Sequence, residues 1–135
     1  MTNIQFYILA SDDLEQRWSY ARKLLVQTLL RGKTVHVHTS CAAHTRLLME
    51  KLLSSLGDKD ESVSIDHKGE PDSNQQVLLN LSNEVPYFFS SFETTLEVVH
   101  AEANTRKMGR ERYRYYQQRG YPLRHYDIQP ELALV

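Results

Sequence analysis

The chain has 135 residues, 41% hydrophobic and 24% charged, with a formal net charge of −1. That composition fits one globular domain, residues 1–135, and excludes a disordered chain. The longest apolar runs, such as Phe6-Tyr7-Ile8-Leu9-Ala10, fall far short of the roughly 20 residues that span a bilayer, and the single cysteine, Cys41, excludes an internal disulfide.

In chain order, Asn3–Leu9 is a short apolar and aromatic run ended by Ala10-Ser11-Asp12-Asp13, which predicts a buried strand. Ser11 or Asp12 is placed to cap the helix that follows. Leu14, Trp18, Ala21, Leu25 and Leu29 recur at helical steps, and Gly32 stops the helix. Thr34–His38 reads as a second strand. Ser40 is expected to cap a second helix, with a buried stripe of Leu47, Leu48, Leu52, Leu53 and Leu56 and a stop at Gly57. Residues 58–75 are polar, with a short strand at Ser62–Ile65. Gln76–Leu81 is an apolar strand, followed by a turn through Pro86. Phe88, Phe89 and Phe92 supply core aromatics, Leu96–Val99 a further strand, and Asn104–Gln118 the last helix, closed by Gly120 and Pro122. Strands alternating with helices predict an α/β fold of three layers, α/β/α, with a mainly parallel sheet. Such sheets bind ligands beyond the carboxyl ends of their strands.

The last helix carries the strongest chemical signal. Residues 1–103 hold 9 Lys/Arg and 14 Asp/Glu, whereas residues 104–135 hold 7 and 3. The excess lies in the run Arg106-Lys107-Met108-Gly109-Arg110-Glu111-Arg112-Tyr113-Arg114-Tyr115-Tyr116, continued by Arg119, Tyr121 and Arg124. A near-neutral chain with one basic segment is suited to a negative partner. Arg106, Arg110, Tyr113, Arg114 and Gln117 share one side of a helix, and Met108 and Tyr115 are expected on the buried side. Arginine supplies a planar fork for a carboxylate, and tyrosine an apolar wall. Acidic peptide and single-stranded nucleic acid both use those groups. The net negative charge elsewhere repels a long strand and favours the peptide.

Other patterns are weaker. Gly32-Lys33-Thr34 resembles the end of a phosphate-binding loop, but position 27 is Gln, and the segment runs from helix to strand. His36, His38 and His44 invite a metal ion without a carboxylate or thiolate at fixed spacing, so side chains of a half-buried strand are the alternative. Asp12-Asp13 fits a helix N-terminus, where carboxylates offset the backbone dipole. Nucleophile elbows and zinc-protease motifs are absent, so no catalytic set and no cofactor are expected. The N-terminus lacks a basic segment followed by an apolar one, which leads us to expect a cytoplasmic location.

Three stretches resemble the chi subunit of the bacterial DNA polymerase III holoenzyme. They are Val77-Leu78-Leu79-Asn80-Leu81-Ser82-Asn83-Glu84-Val85-Pro86, Phe89 and Phe92 with Glu97-Val98-Val99, and Gly109-Arg110-Glu111-Arg112-Tyr113-Arg114-Tyr115-Tyr116 through Gly120-Tyr121-Pro122-Leu123. The opening Phe6-Tyr7-Ile8-Leu9 fits as well, so the resemblance spans nearly the whole chain. It implies a fold similar to nucleotide-binding α/β proteins without their phosphate loop, and no enzymatic activity. It further implies an adaptor of the clamp-loader complex at replication forks, in the nucleoid. That adaptor holds the acidic C-terminal tail of single-stranded-DNA-binding protein and docks to the small psi subunit. The family's tail-binding arginine falls on Arg110 and its pocket tyrosine on Tyr113. Neighbouring basic positions fall on Arg106 and Arg114, and an apolar pocket position on Leu123. The charge pattern adds Lys107. In the psi-facing region the family carries aromatics, whereas this chain has none between Tyr20 and Tyr87. Leu52, Leu53, Val63 and Ile65 stand there instead. They form an aliphatic patch for psi or a repair helicase, or else part of the core.

Overall fold

The computed structural model describes residues 1–53, 62–71 and 75–129. Leu56, the helix stop at Gly57 and the side chain of Leu53 lie outside what is described. Among the described residues, six strands form one parallel sheet: β1 (Asn3–Leu9), β2 (Val35–His38), β3 (Val63–Asp66), β4 (Val77–Asn80), β5 (Thr94–Val99) and β6 (Leu123–Ile128). Their order is β3-β2-β4-β5-β1-β6. The helices are α1 (Leu14–Leu30), α2 (Ala42–Leu53) and α3 (Ala103–Gln118), with a 3-10 turn at Phe89–Ser91. The α/β expectation therefore holds.

The layering follows from the direction of each connection. The chain steps from β1 to β2 and β3 toward one edge, then from β4 through β5 to β6 toward the other. Crossovers of one hand put connections that step in opposite directions on opposite faces. The core divides accordingly. Trp18, Leu25 and Leu29 of α1 and Leu48 and Leu52 of α2 pack with Val35, Val37, Leu79 and Val98 on one face. Ile4, Phe6, Leu78 and Val99 meet Phe88, Phe89, Phe92 and the α3 residue Tyr116 on the other. Burial of each such side chain contributes about 1.5–3 kcal/mol.

Several local expectations change. The α1 cap is Asp13, whose carboxylate accepts from the Glu15 N–H at 3.0 Å; Ser11 and Asp12 lie ahead of it. Leu14 is exposed because the helix turns its first residue outward, and Leu24 takes a core place. Gly32 ends α1 at φ +79°, the left-handed region where glycine is unstrained. The Cys41 carbonyl accepts the first α2 bond, from the Thr45 N–H, so Cys41 rather than Ser40 takes the cap position. Leu47 is exposed, outside the stripe formed by Leu48 and Leu52. Leu52 and Val63 are sealed in the core and present no docking surface, while Ile65 packs beside them half-buried. Strand β6 had no counterpart in the sequence reading. Among the described residues, no helix is long and apolar enough to cross a membrane.

Candidate partner-binding site

Helix α3 is held at its start by Glu102, whose carboxylate accepts from the N–H groups of Asn104 and Thr105 at 3.0 and 2.9 Å. Those bonds hold the Glu102 carboxyl below its ordinary range. The sheet-facing residues are Gly109, Arg112 and Tyr116. Met108 is exposed and Tyr115 half-buried, so the buried face is turned from the expected one. Gly109 permits the approach: a Cβ there would lie 2.9 Å from Val99 Cγ2.

A buried charge network fixes the rotation of the helix. The Arg112 Nε–H donates to Glu97 Oε1 at 3.0 Å, and both side chains are sealed, at 3% and 0% exposure. The Tyr116 hydroxyl donates to Glu97 Oε2 at 2.8 Å, and the Asn80 amide to the same oxygen at 2.9 Å. Arg112 Nη1 donates to the Asn83 carbonyl at 3.3 Å. Burial pushes the Tyr116 hydroxyl far above its ordinary range, and the Glu97 charge adds to the shift. Behind the sheet, Arg17 donates to the Val98 carbonyl at 2.9 Å. Desolvation, then repulsion from Arg112, lowers that guanidinium to about 10.

With the rotation fixed, the other side chains fall into place at about 100° per residue. Arg106, Arg110 and Tyr113 form the flank of α3 beside β6. The Tyr113 ring meets Phe6 edge to face at 5.1 Å and His125 of β6 at 6.1 Å. Leu123, at the start of β6, is half-buried in the same apolar layer as Tyr113. Lys107 and Arg114 point away from the sheet. Among the described residues, no ion pair engages Arg106, Lys107, Arg110 or Arg114. On the far flank, Arg119 is stacked on Tyr115 at 3.5 Å and donates to its carbonyl. The structure thus brings Arg106, Arg110, Tyr113 and Leu123 to one trough between α3 and β6, with Lys107 and Arg114 on its outer rim.

The sequence reading missed two features. Glu97 is a carboxylate inside the apolar strand Thr94–Val99, and that isolated charge was the signal for a buried partner. His125 belongs to Leu123–Ile128, whose mixed polar and apolar residues show neither an apolar run nor an alternation. The histidine pair of β2 reads differently once placed. His36 is buried against Phe88 and Phe92, shares a 2.7 Å bond between Nδ1 and Ser64 Oγ, and is pushed by desolvation to about 4. His44 is exposed on α2, and no group of three metal-ligating side chains occurs among the described residues. A separate cleft of about 380 Å³ opens at the carboxyl ends of β2, β3 and β4, between His38, Ser40, Lys68, Glu84 and Tyr87.

Comparison with known proteins decides the family. Residues 53–124 match the family model described as DNA polymerase III chi subunit, HolC. The DNA polymerase III subunit chi of Pseudomonas aeruginosa is 30% identical over 139 aligned residues, which cover 95% of this chain and 98% of that protein. The chain belongs to the DNA polymerase III chi-subunit family. The α3 network, the trough residues Arg106, Arg110, Tyr113 and Leu123, and the first two residues of β6 fall within the residues that the chi family model matches. Membership places the chain in DNA replication, as a subunit of a bacterial polymerase assembly.

Proposed function

We propose that this chi-family chain is a non-catalytic adaptor of the clamp-loader complex. It docks the acidic C-terminal tail of single-stranded-DNA-binding protein in the trough between α3 and β6. The observation that carries this reading is the set of exposed cations, free of ion pairs among the described residues, beside the half-buried Tyr113 and Leu123. A tail ending in Pro-Phe behind several aspartates complements that arrangement. Arg110 takes the terminal carboxylate through two parallel N–H bonds, and Tyr113 and Leu123 wall the phenyl ring. Arg106, Lys107 and Arg114 attract the aspartates, an effect screened within roughly 10 Å at moderate salt.

The experiment is a fluorescence-anisotropy titration with a labelled peptide ending in Asp-Asp-Asp-Ile-Pro-Phe. The same peptide without its Phe and a labelled oligo-dT are run beside it. Micromolar binding that requires the Phe and is lost in Arg110→Ala supports the reading. Tight oligo-dT binding with indifference to the peptide overturns it and makes the trough a nucleic-acid surface.

The psi subunit is the second proposed partner. With Leu52 and Val63 in the core, docking at the β3 edge would rest on Ile65 and its surroundings. A pull-down from the native cell that recovers no small subunit removes that proposal. Work at replication forks places the protein in the cytoplasm, at the nucleoid.

A further inference from the structure

Strand β6 brings a titratable side chain to the trough. His125 lies opposite Phe6 in the register of β1 and β6. Side chains alternate across a sheet, so Leu123, His125 and Asp127 share the face on which α3 lies. The imidazole meets the Tyr113 ring at 70°, and its Nδ1 lies 3.5 Å from the Tyr113 hydroxyl oxygen. His125 is exposed, so it stands on the rim of the trough, across from the flank that carries Arg106 and Arg110.

We infer that His125 is a further contact of the acidic peptide, forming the β6 wall of its site, and that protonation of the imidazole tightens docking. This rests on the tail-docking reading above. The surroundings favour an added anion. From α3, the groups toward His125 are the Tyr113 hydroxyl and the guanidinium groups of Arg106 and Arg110, with Arg114 further out. On β6 itself, Asp127 shares the face and Arg124 points to the other. From β1, Phe6 and Ile8 bring no charge to this face. Asp127 is the one described acid on that side of the trough, so an imidazolium adds to a cationic site.

The sign follows from linkage. A bound carboxylate favours the protonated imidazole, so binding takes up a proton. Affinity is then greater at about pH 5 than at about pH 8. An exposed pair in water is weak, which sets the expected gain at about two- to fivefold. Aspartates of the peptide, ordinarily titrating near ~3.9, stay ionised over this range.

The test uses the full chain and the labelled acidic peptide, at about pH 5.5 and about pH 8. Wild type, His125→Asn, His125→Lys and Arg110→Ala are compared. Wild type is expected to bind about two- to fivefold tighter at the lower pH. His125→Asn should show the weaker affinity at both, and His125→Lys the tighter affinity at both. If wild type binds through Arg110 and His125→Asn keeps the same pH slope, the inference is overturned while tail docking stands. No binding by wild type at either pH overturns both. The Asn and Lys variants alter an exposed rim position, and unchanged thermal melts confirm that the comparison is made between folded proteins.

Discussion

Arg110 and Arg112 stand two residues apart on α3 and face opposite surroundings. Arg112 is sealed against the sheet, bonded to Glu97 at 3.0 Å. Arg110 is exposed, and no ion pair engages it among the described residues. Their directions differ by roughly 200° around the helix axis. The same residue type therefore belongs to the fold in one case and faces outward in the other. The buried pair also orients the exposed cation, because it fixes which flank of α3 lies beside β6.

The largest expected effect breaks the inner side. Arg112→Ala leaves the Glu97 carboxylate in the core with only Tyr116 and Asn80 as donors, and removes the tie to the Asn83 carbonyl. Stranding one member of a buried pair costs about 3–5 kcal/mol. Urea denaturation should show a loss of that size. A loss below about 1 kcal/mol would mean that water reaches Glu97 in the folded protein and that the pair does not fix the helix.

How much of this was legible follows from the same two arginines. The repeat Arg110-Glu111-Arg112 marks a basic segment in the sequence, but only the phase of the helix separates an inner from an outer residue. Placing Met108 and Tyr115 inside set that phase wrongly, because it left Arg112 without a side. Gly109 held the missing information. A glycine in a helix interior costs about 1 kcal/mol relative to alanine, and here it is offset by close approach to Val99. The central strands β1 and β4 were readable because burial on both faces imposes apolar runs, and β2 by its β-branched Thr34, Val35 and Val37. Strand β6 was not, since an edge strand, exposed at four of its six positions, is defined by backbone pairing to β1 rather than by composition. The exposed cations of the trough were legible as charge, but its second wall, carrying Leu123 and His125, became visible only with that pairing.

On the outer side, Arg110→Ala is expected to weaken peptide binding by about 2 kcal/mol or more, since the terminal carboxylate would meet an apolar wall without a donor. Stability should change by less than about 0.5 kcal/mol, as for other exposed positions. Calorimetric titration together with a urea curve on the same variant separates the two quantities. A variant that loses both would show that Arg110 is part of the fold, and the contrast with Arg112 would fail. Tyr116→Phe should do the reverse. It removes one bond to a buried carboxylate, costs about 1.5 kcal/mol or more of stability, and leaves peptide affinity unchanged provided the remaining Arg112–Glu97 bond holds the helix in place.

Lys107→Ala sharpens the comparison within the outer side. Lys107 points away from the sheet and cannot share a desolvated pocket with the peptide's last residue, so its contribution is Coulombic attraction through water. Such contributions amount to less than about 1 kcal/mol and fall with ionic strength. The affinity loss should therefore be small at low salt and vanish as salt rises. Arg110→Ala should keep most of its loss at high salt, because a carboxylate bonded against an apolar wall is screened far less. Titrations across a salt series for both variants test this directly. Parallel salt curves for Lys107→Ala and Arg110→Ala would place both cations in the same solvated shell, and the trough between α3 and β6 would then attract the peptide without holding its end.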